Sequence, residues 1–273
     1  MAEKAILYDP TRCTACRGCQ VACKQWNETD EFIPTEQNGV DAVNTGSYEN
    51  PPDLSPQTWV RMSFIEAERN GKLSWLFNRR ACMHCTDASC LLVCPTGAIF
   101  KTDEGFVHID QDWCIGCGNC VQACPFDVPH KDEHTGTAKK CSGCTSVGFN
   151  RQAEGLETAC VKTCPPNALM FDDRDKLVAD GNQRVADLKA KGYSNARLYG
   201  ERELGGLHVL YVLDDNPEVY NLPASPKLAS QDVLTKWISG IATAGVIAAL
   251  PLWFVFKRRQ QLESVRSEIE GGE

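Results

Sequence analysis

The chain has 273 residues, of which 42% are hydrophobic and 8% aromatic, and a formal charge of −8. That length accommodates two small domains with appendages, and the low aromatic content keeps their cores small. The acidic balance argues against nucleic acid as a partner.

The sixteen cysteines form four groups of four with none left over. Cys13, Cys16, Cys19 and Cys23 come first, then Cys82, Cys85, Cys90 and Cys94. Cys114, Cys117, Cys120 and Cys124 follow, and Cys141, Cys144, Cys160 and Cys164 close the series. Groups one and three read C-x2-C-x2-C-x3-C, the thiolate spacing of bacterial iron–sulfur ferredoxins. In groups two, three and four a proline (Pro95, Pro125, Pro165) follows the last cysteine. Disulfides account for the pattern less well, because Cys-x2-Cys pairs sit too close for easy bridging and disulfide scaffolds rarely repeat one unit. Zinc sites use two separated Cys-x2-Cys pairs, a form that only group four could take. Sixteen thiolates therefore predict four [4Fe–4S] clusters, each adding about −2 of charge when oxidised. Their ligation should supply much of the folding free energy of so small a core.

In a two-cluster ferredoxin unit the fourth cysteine of each motif ligates the other cluster. Applied to the outer groups, this predicts cluster 1 on Cys13, Cys16, Cys19 and Cys164, and cluster 2 on Cys23, Cys141, Cys144 and Cys160. Applied to the inner groups, it predicts cluster 3 on Cys82, Cys85, Cys90 and Cys124, and cluster 4 on Cys94, Cys114, Cys117 and Cys120. One ferredoxin unit is then inserted into the other. No catalytic residue is expected, since neither a hydrolytic triad nor a phosphate loop is present. His84, between Cys82 and Cys85, is the tempting extra ligand, but it reads better as a structural or hydrogen-bonding group. Gly116 and Gly118 are expected to let backbone N–H groups approach sulfide.

Along the chain, Ala5–Tyr8 and Ala168–Phe171 are expected to pair as strands. Ala98–Phe100 and Phe106–Ile109 form two further strands around the Asp103-Glu104-Gly105 turn. Short helices should start near the third cysteine of each group. Residues 31–75 are an insertion, with a hairpin over Thr58–Phe77 turning at Asn70-Gly71; a long loop of this kind suits a partner interface. A helix over Asp175–Lys191 ends at Gly192, Leu207–Leu213 reads as a buried strand, and 214–230 as an extended connector.

Trp237 to Phe256 carries no charge and as a helix spans roughly 30 Å, the thickness of a bilayer's hydrocarbon core. Trp237 and Trp253 lie near its ends, and Gly240, Ala244 and Ala248 form a small-residue face suited to another membrane helix. Lys257-Arg258-Arg259 follows it, which places the C-terminus in the cytoplasm and the cysteine domains on the periplasmic side of a bacterial cytoplasmic membrane. The N-terminus shows no apolar signal region and Arg79-Arg80 is internal. Folded export on the twin-arginine signal of a partner is therefore expected.

These readings predict an α+β fold of two nested ferredoxin-like double-cluster domains plus one C-terminal transmembrane helix. Residues 1–30 and 138–175 form the outer domain, 31–75 the insertion and 76–137 the inner domain. Residues 176–233 are an extension and linker, 234–257 the membrane helix, and 258–273 a cytoplasmic tail.

The four motifs, their order and the C-x2-C-x4-C-x3-C-P spacing of group two resemble the four-cluster electron-transfer subunits of molybdenum or tungsten oxidoreductases. The segments Arg184–Tyr193, Gly205-Gly206 and His208–Leu213 are similar to the β subunit of membrane-bound formate dehydrogenase. So are Asn50-Pro51 with Asp53-Leu54-Ser55, Gly71-Lys72-Leu73 before Trp75, and the single C-terminal membrane helix. The resemblance implies a non-catalytic subunit partnered by a Mo/W-pterin catalytic α subunit that oxidises formate. Electrons would enter at cluster 1 and leave from cluster 4 towards a cytochrome b membrane subunit and quinone. The sequence departs from the pattern in its long Cys144–Cys160 spacer and in Lys24, which stands where proline follows the other groups. All sixteen ligands are present, which argues against the nitrate reductase branch, where one ligand is replaced. The cysteine core alone leaves open another molybdo-oxidoreductase, for a sulfur compound or an N- or S-oxide. In a different class it leaves open a zinc-stabilised membrane scaffold.

Overall fold

The computed structural model describes residues 2–29, 36–37, 40–41, 48–69, 71–146, 149–231 and 233–270. Much of the first half of the expected insertion, and Asn70 of its turn, lie outside the described residues. The chain divides into two units, Met1–Ala229 and Ser230–Glu273.

In chain order the first unit contains β1 (Lys4–Tyr8), α1 (Gly18–Trp26), β2 (Arg61–Arg69), β3 (Lys72–Arg80), β4 (Ile99–Lys101) and β5 (Val107–Ile109). Then come β6 (Leu169–Asp173), α2 (Arg174–Ala190), β7 (Arg197–Tyr199) and β8 (Val209–Leu213). Single helical turns cover Ser89–Leu92, Asn119–Ala123 and Ala159–Lys162. With α1, each helix begins one residue before the third cysteine of its group, as the sequence predicts.

The main sheet runs β6-β1-β8-β7. The expected antiparallel pairing of β1 with β6 is present, with Leu7 opposite Met170. On its other edge β1 runs parallel to β8, with Leu7 opposite Leu210. Half the sheet thus comes from the segment after residue 176, within the same unit as the cysteines. Side chains alternate across a strand, and here both faces are covered. Ala5, Leu7, Leu210 and Val212 pack under α2 with Leu177, Val185 and Leu188. Ile6, Tyr8, Val209, Tyr211 and Leu213 face the cysteine-bearing core. Burial on both faces explains the unbroken apolar run of β8. On α2, Gly181 permits this approach, because a Cβ there would lie 2.7 Å from Leu198 Cδ1. Gly192, at φ +97°, ends the helix as expected.

β2 and β3 form the expected hairpin, in full register from Arg61↔Arg80 to Arg69↔Lys72. It reaches five residues past the expected insertion boundary at 75. β4 and β5 form the second expected hairpin. The segment after β8 differs from the extended connector expected over 214–230. It folds into a 3-10 turn, Pro217–Tyr220, and is strapped to the hairpin. Arg69 makes paired hydrogen bonds of 2.7 and 3.0 Å to Asp214, and Asn78 Nδ2 donates to the Tyr220 carbonyl at 2.5 Å.

The second unit is one helix, α3 (Val233–Glu270). Its Trp237–Arg259 stretch has a mean hydropathy of 1.9 and is long and apolar enough to cross a membrane. Residues 258–270 of the expected tail continue the helix, because no glycine or proline interrupts them before Gly271.

Candidate metal centres

The four cysteine loops share one backbone device. The residue two after the first cysteine is left-handed in every group: Ala15 (φ 52°), His84 (46°), Gly116 (63°) and Gly143 (70°). This turns the N–H of Ala15, His84 and Gly143 onto Sγ of Cys13, Cys82 and Cys141 at 3.3, 3.5 and 3.5 Å. At Cys114 the donor is the Ala138 N–H instead, at 3.3 Å. At Gly116 a Cβ would run into the Gly136 carbonyl oxygen. A second repeat follows the last cysteine of groups two, three and four. Proline fixes φ without donating, and a left-handed residue two further on (Gly97, Asp127, Asn167) closes the turn. Its N–H reaches the cysteine carbonyl at 3.4, 3.3 and 3.2 Å respectively. Glycine, asparagine and aspartate are the residues that tolerate this conformation. The first group, with Lys24 in place of proline, carries α1 through Cys23 to Trp26. The long Cys144–Cys160 spacer forms a two-stranded ribbon, Thr145–Ser146 with Phe149–Asn150. Beyond it Arg151 lies 4.4 Å over the Trp26 ring.

These loops bring the thiols together in fours. Cys13, Cys16, Cys19 and Cys164 line a small pocket with Tyr8, Met62 and Leu169. Cys94, Cys114, Cys117 and Cys120 line another with Ile99, Ile109 and Ala138. Cys23 has Cys141, Cys160 and Cys144 as its electrostatic neighbours, and Cys85 has Cys82, Cys124 and Cys90.

The quartets also follow one another. Cys19 of the first quartet feels Cys160 of the second. Cys141 of the second feels Cys82 of the third, and Cys90 of the third feels Cys120 of the fourth. Cys16 and Cys117 are the exposed members, one in the first quartet and one in the fourth. Beside Cys117 stand the exposed Trp113 and Ile115. Beside Cys16, Arg17 lies 5.2 Å over the Phe64 ring, which contacts Trp75 and Tyr48.

Burial pushes the thiols of Cys19, Cys90 and Cys144 up to about 12, and neighbouring thiolates press in the same direction. Burial and the nearby Cys82 thiolate push Cys141 up to about 11. Cys94 moves the other way: its slight burial is outweighed by the Thr96 hydroxyl and the N–H groups of Thr96, Ala98 and Ile99 in its turn. Four thiolates in a buried site need cationic charge between them, which iron would supply. Among the described residues no set of three Cys, His, Asp or Glu side chains converges on a point as a single ion requires. Four thiols drawn from two motifs suit a cluster, whose thiolates bind separate irons, better than tetrahedral zinc.

His84 is not placed as a ligand. Its Nδ1 accepts from the Val107 N–H at 3.0 Å, so the proton sits on Nε2 and no lone pair remains for a metal. Burial holds the ring neutral, its pKa well below the usual range. Sequence reasoning missed several polar groups around the thiols. Asn27 Nδ2 donates to Cys23 Sγ at 3.4 Å, Thr158 Oγ1 lies 3.3 Å from Cys160 Sγ, and Arg79 donates to the same sulfur. Asn27, four residues after Cys23 in α1, was accessible from helical spacing. Arg79 offers the sequence no such signal beyond its place in an internal arginine pair.

Two family models, each described as a 4Fe-4S dicluster domain, match residues 12–98 and 73–174. The chain is 41% identical over 252 residues to the iron–sulfur subunit of the nitrate-inducible formate dehydrogenase of Escherichia coli K12, covering 90% of this chain and 82% of that protein. It is 42% identical to the formate dehydrogenase-O iron–sulfur subunit of the same organism, covering 83% and 73%. A Haemophilus influenzae formate dehydrogenase iron–sulfur subunit is 40% identical, covering 90% and 78%. Fold and thiol arrangement thus define a 4Fe-4S dicluster electron-transfer protein. The chain belongs to the family of formate dehydrogenase iron–sulfur subunits, which are non-catalytic members of their complexes.

Proposed function

We propose that this chain conducts electrons through four [4Fe–4S] clusters, from a Mo/W-pterin catalytic subunit that oxidises formate to a cytochrome b membrane subunit and quinone. Cysteines 13, 16, 19 and 164 hold the first cluster, and 23, 141, 144 and 160 the second. Cysteines 82, 85, 90 and 124 hold the third, and 94, 114, 117 and 120 the fourth. Two nested ferredoxin-like domains result. When bound, the clusters supply one-electron carriers. The chain's own residues hold them in series, keep the thiols of the two middle sites from full exposure and donate N–H groups to the sulfurs.

The observation that carries this reading is the serial order of the quartets, with an exposed cysteine only in the first and the last. A wire needs insulated middle stations and terminal ones near its partners. The apolar residues beside Cys16 and Cys117 suit two docking faces. The helix over Trp237–Arg259 anchors the chain in the bacterial cytoplasmic membrane. Lys257, Arg258 and Arg259 at its C-terminal end favour a cytoplasmic C-terminus and a periplasmic cysteine unit.

The test is to purify the native complex, identify its subunits and add formate under electron paramagnetic resonance. Formate should reduce the iron–sulfur centres, and a pterin-bearing subunit should co-purify. A complex without formate:acceptor activity would overturn the reading in favour of another molybdo-oxidoreductase.

A further inference from the structure

Arg79 stands at the junction of the first two quartets, on β3, and is only 1% exposed. Its Nη2 donates to Cys160 Sγ at 3.4 Å, while Nε and Nη1 are buried without a partner among the described residues. Sulfurs of both quartets act on it, Cys160 and Cys141 from the second and Cys19 from the first. Another buried cation, Lys140, is by contrast satisfied by the carbonyls of Val107 and Cys141, at 2.5 and 2.9 Å. Stripping a guanidinium of water is expensive unless an anion compensates it. An apolar side chain of similar size would fill this corner at lower cost. The position makes sense when the compensating charge belongs to the sites themselves. Four thiolates and a cluster carry net negative charge, which grows by one on reduction.

We propose that Arg79 is a positioning residue for electron transfer. Its fixed charge, acting through Cys160 and across to Cys19, stabilises the reduced state at both the first and the second quartet and raises their reduction potentials together. This rests on the reading that the two quartets hold clusters. One electron leaves the first site as the second takes it up. No bond forms or breaks and no proton moves, because the guanidinium stays charged throughout. Raising both potentials together keeps the step between them close to level.

The test uses the full complex with Arg79→Gln and Arg79→Lys, measuring iron content and the midpoint potentials by paramagnetic-resonance-monitored redox titration. Arg79→Gln should keep its iron and shift the midpoints of these two centres downward, leaving the other two in place. Arg79→Lys should restore most of the shift. Unchanged midpoints in an iron-replete Arg79→Gln overturn the proposal. If Arg79→Gln loses iron, Arg79→Lys decides: full iron with near wild-type midpoints upholds a role of charge, and any other result makes the role one of shape and overturns it. A wild-type protein without iron would instead remove the cluster reading on which the proposal rests.

Discussion

Arg184 Nη1 donates to the Asp9 carboxylate at 2.9 Å, joining positions 175 residues apart. Asp9 in turn accepts from the Thr11 N–H at 3.1 Å and the Thr11 hydroxyl at 2.6 Å, capping the 3-10 turn Pro10–Arg12 that delivers the chain to Cys13. The segment after residue 176 therefore braces the first cysteine loop from outside. Asp9 is nearly inaccessible and Arg184 a quarter exposed, so the pair is screened less than a surface ion pair. Arg184→Ala should destabilise the loaded protein by about 1.5–3 kcal/mol. Chelator challenge followed by paramagnetic resonance should show the first centre lost before the others. Loss of all centres at one rate would place the brace elsewhere.

The crossed ligand sets predict a non-local phenotype. Cys94→Ser should perturb the centre at Cys114, Cys117 and Cys120, with which Cys94 shares a cavity. The centre at its sequence neighbours Cys82, Cys85 and Cys90 should remain. A spectrum showing loss of that neighbouring centre would refute the crossing.

Gly116 and Gly118 separate two kinds of constraint within one loop. Both are left-handed, at φ +63° and +78°. A Cβ at Gly118 meets nothing within 4 Å, whereas one at Gly116 collides with the Gly136 carbonyl. Gly118→Ala should cost only the left-handed penalty of about 1–2 kcal/mol. Gly116→Ala should cost a further ~1–3 kcal/mol from overpacking and lower the iron content. Equal stability of the two variants, read by thermal unfolding of the loaded protein, would mean the crossing at Gly136 is soft.

What was legible in the sequence depended on how local the cause was. Cysteine spacing, the proline turns, the helix starts and the alternation of β4 and β5 are set by residues a few positions apart, and the structure repeats them. β8 was legible as a buried strand because both its faces are covered, but its parallel partner β1 lies about 200 residues earlier and no local pattern points there. The strap at 217–220 was read as extended because its Asp/Asn/Pro content signals a turn without naming what the turn packs against. The Asp214 pairing with Arg69 of the hairpin decides that. Arg79 was illegible for a similar reason: next to Arg80 it looks like a surface pair, and only the fold places it against Cys160.

The small-residue face of α3 carries a prediction about docking. Gly240, Ala244 and Ala248 lie on one side of the helix and are exposed in this unit. Gly240→Leu with Ala244→Leu keeps the apolar length while blocking close approach by another helix. The double variant should remain in the membrane fraction and keep formate oxidation with an artificial acceptor, yet lose quinone reduction. Unchanged quinone activity would reduce α3 to a tether.

The central claim is that every thiolate binds an iron–sulfur cluster, and metal analysis of the purified full-length protein tests it most directly. With sixteen cysteines in four quartets, iron and acid-labile sulfide should each approach about sixteen per chain, without stoichiometric zinc. About eight of each, or zinc in place of iron, would contradict the account.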